Sequence, residues 1–97
     1  MSKEFEIGLN LLKKVQPSLE DLLNTQDRLI ARKIVNSIIN PITASAYQLK
    51  VGEGPGRDEL LPNVLQLVRL MRDMDDIESL KSVVKELLST LRSVNGT

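Results

Sequence analysis

The chain has 97 residues, of which 13 are basic and 13 are acidic, and it contains neither cysteine nor histidine. This composition excludes disulfides, thiol nucleophiles and zinc sites built from cysteine or histidine, and it lacks the basic excess that is typical of nucleic-acid-binding proteins. Thirty-two residues are Leu, Ile or Val and only two are aromatic, so we expect one domain, residues 1–97, with an aliphatic core and no cofactor.

The first predicted helix runs from Lys3 to Val15. Ser2 is a suitable N-cap for it, and apolar residues recur along the segment at intervals of three and four. Pro17 is expected to end this helix, because the residue before a proline disfavours the α-helical region. Ser18 would then cap the next helix.

The second predicted helix extends from Leu19 to about Ile39. A break or kink is expected near Gln26, where the apolar pattern is interrupted. The sequence leaves open whether Pro41 kinks this helix or separates a further short helix from it. These segments form the first helical half of the chain, residues 1–50.

Residues 51–58, which read VGEGPGRD, predict a loop, because three glycines and a proline oppose any regular element. Glycine-rich loops also bind phosphate, but such loops follow a strand and carry a lysine next to a serine or threonine. Neither feature is present in this sequence, so a flexible connector is the preferred interpretation.

The second helical half, residues 59–97, predicts a helix that begins near Leu61 and a final amphipathic helix. Asp75 and Glu78 resemble a capping box at the start of the final helix, and Asn95 and Gly96 predict its end. The predicted fold is therefore an all-α, compact bundle of four to five helices, whose two halves are joined by the Gly-rich loop.

The predicted helices have broader apolar faces than a surface helix usually shows. We therefore predict a non-catalytic interaction protein or accessory subunit, which buries an aliphatic face against itself as a homo-oligomer or against a larger protein complex. The predicted interface residues come mainly from the helix that begins near Leu61, with support from the second helix: Val64, Leu67, Val68, Met71, Ile34 and Ile38.

Two alternatives rest on charged clusters. Arg28, Arg32 and Lys33 lie within six residues and would suit a nucleic-acid-associated factor of a replication or transcription complex, although such a cluster is more often a solvated helix face. The carboxylates between Asp73 and Glu78 would suit a magnesium-dependent enzyme, but acidic residues at a helix N-terminus are explained by capping alone. We therefore predict no catalytic residue, no metal ligand and no enzyme.

Residues 61–91 place the turn Met-Arg-Asp-Met-Asp, residues 71–75, between two apolar helices. This arrangement resembles the C-terminal signature of a family of small helical proteins of unknown function, which are encoded beside formate dehydrogenase and heterodisulfide-reductase-like complexes. The family pattern has a proline where this chain has Met74. The resemblance implies a non-catalytic accessory subunit of a larger redox assembly, and it transfers no catalytic or cofactor residues.

The first ten residues include Glu4, Glu6 and Gly8 and so lack the apolar core of a signal peptide. No apolar run approaches the roughly 20 residues that span a bilayer. We therefore expect a cytoplasmic protein that has no membrane contact.

Overall fold

A computed structural model describes residues 1–95 and consists of four helices joined by short turns. Each helix packs against the one before it, and α1 also packs against α4, which closes the bundle. The all-α bundle predicted from the sequence is confirmed. The helix bounds are α1 Lys3–Asn24, α2 Arg28–Val51, α3 Arg57–Asp73 and α4 Ile77–Asn95.

Helix α1 begins as predicted but continues through its proline. The Ser2 side chain accepts a hydrogen bond of 3.1 Å from the Phe5 amide, which caps the helix. The prediction that Pro17 ends α1 and that Ser18 caps a new helix was wrong. Proline interrupts one hydrogen bond of the helical ladder, and here the exposed Pro17 is followed by a further turn that buries Leu19 and Leu22 in the core.

The break expected near Gln26 is the turn between α1 and α2. The carboxylate of Asp27 accepts hydrogen bonds from the amides of Leu29, at 2.8 Å, and Ile30, at 3.3 Å, and so caps α2. Helix α2 then runs without interruption past Pro41 to Val51. A separate short helix after Pro41 is therefore not formed.

The connector between the halves occupies residues 52–56, and α3 begins four residues earlier than predicted, at Arg57. Gly54 lies so close to Phe5 that an added Cβ would come within 2.3 Å of the aromatic ring. Gly56 has a φ of 82°, a left-handed conformation that favours glycine. Gly54 therefore holds the connector against the start of α1, and Gly56 lies against Val94 of α4 and provides the left-handed turn into α3.

The N-terminal cap of α4 is Asp76, one residue later than the predicted capping box at Asp75. The Asp76 carboxylate accepts hydrogen bonds from the Ser79 amide, at 3.0 Å, and from the Ser79 hydroxyl, at 2.6 Å. Of the two residues predicted to stop this helix, Asn95 still belongs to α4 and Gly96 lies outside the described residues.

One hydrophobic core runs through the bundle and receives side chains from all four helices. Its largest fully buried members include Phe5, Leu22, Leu49, Leu67 and Leu87. Among the residues whose burial is described, two polar side chains are buried and both are satisfied within the chain: the Ser45 hydroxyl donates to the Ile42 carbonyl at 2.7 Å, and the Asn63 amide donates to the Thr90 hydroxyl at 3.2 Å.

Candidate interaction surface

The residues predicted to face a partner lie inside the bundle instead. Five of them are members of the hydrophobic core: Val64, Leu67, Val68, Met71 and Ile38. The sixth, Ile34, is half-buried and packs against that core.

The interface assignment of these residues is therefore corrected. Helix α3 is flanked by α2 on one side and by α4 on the other, so its broad apolar face is shared between two neighbours of the same chain. The excess of apolar residues reflects this sandwiched position, and no partner is needed to cover it.

The three basic residues of the alternative prediction do not form one cluster. Arg28 and Arg32 are four residues apart and share a side of α2, whereas Lys33 is rotated from Arg32 by about 100°. The guanidinium of Arg28 also donates a hydrogen bond of 3.1 Å to the Met74 carbonyl. A role for these residues in nucleic-acid binding stays a prediction.

The acidic segment between α3 and α4 provides the N-terminal cap of α4. Among residues 1–95, no group of three or more acidic side chains is arranged to hold a metal ion. The hydrogen bonds from the Ser79 hydroxyl and amide lower the pKa of the Asp76 carboxyl below its ordinary value of 3.8. The geometry of Asp76 is that of a cap, and the magnesium hypothesis gains no support from it.

The glycine-rich connector is occupied by contacts within the chain. The guanidinium of Arg57 donates to the carbonyl of Leu49 at 2.9 Å and to that of Lys50 at 2.8 Å, so it caps the C-terminal end of α2. The Ser2 amide donates to the Glu53 carbonyl at 2.7 Å. The connector therefore joins the end of α2 to the start of α1, as expected for a structural loop.

The exposed side of α2 has an unusual composition. The segment from Ile34 to Leu49 contains no charged residue over sixteen positions, although 27% of the whole chain is charged. At the average of 27% charged residues, a segment of sixteen residues would contain about four of them. Surface helices are usually charged on their solvent side. The part of α2 that faces solvent is therefore left uncharged through its middle.

Seven exposed residues follow one line along α2 on the side opposite its buried residues, and we call this line the α2 outer face. Successive members are separated by four, three, four, four, three and four residues, so they remain on one side of a 3.6-residue helix. They are Leu29, Lys33, Asn36, Asn40, Ala44, Tyr47 and Val51.

Large apolar side chains mark both ends of the α2 outer face. Leu29 is 72% exposed, Tyr47 is 64% exposed and Val51 is 51% exposed. Near the second end, Ile7 of α1 adds a further exposed apolar side chain, and Tyr47, Val51 and Ile7 line a shallow depression with the polar residues Lys3, Glu4 and Gln48. Ile7, Tyr47 and Val51 therefore form a small exposed apolar cluster around one depression, while Leu29 stands apart at the other end of the face.

Helical periodicity alone could not find this surface, because it identifies the apolar side of a helix and not an uncharged polar side. The informative signal was the absence of charge between Lys33 and Lys50. Protein interfaces are depleted of charge at their centre and enriched in tyrosine, and this segment has both properties.

No family model, curated protein or solved structure matches this chain. The resemblance of residues 61–91 to the formate-dehydrogenase-associated family is therefore still a prediction. None of the four helices in residues 1–95 combines the length and apolar character that a membrane-spanning segment requires.

Proposed function

We propose that this protein is a non-catalytic interaction protein that docks through the α2 outer face. The observation that supports the proposal is the uncharged, solvent-exposed side of α2 between Lys33 and Lys50, which has exposed apolar side chains at both ends. Desolvating neutral side chains on binding costs much less than desolvating charged ones. A surface of this composition is therefore suited to being covered by a protein partner.

The internal packing of the bundle favours the same proposal. The apolar faces of α3 and α4 contribute a continuous core, and the buried polar side-chain atoms of residues 1–95 all have hydrogen-bond partners. These groups therefore contribute to the stability of the fold. The exposed apolar groups of α2 are among those that a stability role does not explain.

The partner class is a protein, either a second copy or a larger assembly. If the partner is a larger assembly, the resemblance of residues 61–91 to the formate-dehydrogenase-associated family implies a redox complex. The protein would then act as an accessory subunit that contributes binding and no chemistry.

The proposal is tested by affinity capture from an extract of the native source, with quantitative mass spectrometry of the retained proteins. Three tagged chains are compared: wild type, Y47E on the α2 outer face, and L65E, which changes a 48% exposed leucine on α3. We expect proteins that wild type and L65E retain and Y47E loses. Identical retention by all three chains would refute docking through α2.

A further inference from the structure

We draw no further inference here: the strongest candidate, the exposed apolar cluster of Ile7, Tyr47 and Val51 around the depression between the start of α1 and the end of α2, belongs to the candidate interaction surface already described, and nothing in the structure shows what covers it.

Discussion

The guanidinium of Arg28 donates a hydrogen bond of 3.1 Å to the backbone carbonyl of Met74 and thereby ties the start of α2 to the turn between α3 and α4. A second bond lies at the same end of the bundle: the Lys81 ammonium group, near the start of α4, donates to the Thr25 carbonyl in the turn between α1 and α2 at 2.6 Å. The two inter-helix turns at this end of the bundle are therefore held together by cations on backbone carbonyls. The first bond joins two residues that are 46 positions apart in the sequence, and the second joins two that are 56 positions apart.

Replacing Arg28 by alanine should destabilise the fold by about 1 kcal/mol, the usual net contribution of such a hydrogen bond. The loss should appear as a lower midpoint of urea unfolding with an unchanged m-value. K33A is the matched control, because Lys33 is a similarly exposed basic residue of α2, and it should leave the midpoint within about 0.5 kcal/mol of wild type.

The same two variants examine the nucleic-acid alternative. If R28A and K33A weaken salt-sensitive binding to duplex DNA by equal amounts, the basic residues act as phosphate contacts. If R28A changes stability and neither variant changes retention on DNA at low salt, Arg28 is a structural residue of the turn.

Met74 is the only non-glycine residue among residues 1–95 with a positive φ, which is 52°. It is also buried. Burial of its side chain stabilises the fold, whereas its left-handed backbone conformation is unfavourable for a residue that has a Cβ. Both M74A and M74G should lose about 2–5 kcal/mol from the lost burial. M74G should nevertheless be the more stable of the two by up to about 1 kcal/mol, because glycine has no Cβ to oppose the left-handed conformation.

Thermal unfolding of the two Met74 variants would measure this difference. Gln66 is an exposed position within α3 and supplies the reference: there Q66A should be more stable than Q66G by about 1 kcal/mol. If M74A is more stable than M74G, as Q66A is expected to be relative to Q66G, the turn does not hold its left-handed geometry in solution.

The turn between α3 and α4 should also respond to acid through Asp76. Its pKa is lowered chiefly by the hydrogen bond from the Ser79 hydroxyl, and further by the Ser79 amide. A lowered carboxyl pKa means that the ionised side chain stabilises the folded state fully above the ordinary value of 3.8, and that this stabilisation is lost as the pH falls through the lowered folded-state pKa. The S79A variant should raise the Asp76 pKa in a carbon-detected NMR titration, because it removes the hydrogen bond from the Ser79 hydroxyl. An Asp76 pKa that S79A leaves unchanged would contradict the cap.

The sequence predicted the helical character of every element and the turns that polar or glycine residues mark, near Gln26, within residues 51–58 and in the acidic segment before the last helix. It misplaced the end of α1, because a local rule for Pro17 was outweighed by the burial of Leu19 and Leu22 one turn later. Tertiary packing decides such cases, since a single lost hydrogen bond is small compared with two buried leucines.

The candidate surface was misassigned for a related reason. A broad apolar helix face is the same pattern whether two neighbours in the same chain cover it or a partner does, and the sequence contains no information on which helix lies between two others. Val68 and Met71 illustrate the point, since both are core residues of a helix that is packed on two sides. The absence of charge along α2, in contrast, can be seen in the sequence. The orientation of the helix in the bundle then shows which of these uncharged residues face solvent.

Leu67 distinguishes the two assignments directly. It is fully buried, so L67E would place an unpaired carboxylate inside the core and should unfold the chain, because burying an isolated charge costs several kcal/mol or more and a domain of this size is only marginally stable. Leu65, two residues earlier in the same helix, is exposed, and L65E should keep native helical content. Far-ultraviolet circular dichroism of both variants, measured at a concentration where wild type is monomeric, would decide the matter. A folded L67E chain that fails to associate would return Leu67 to the interface.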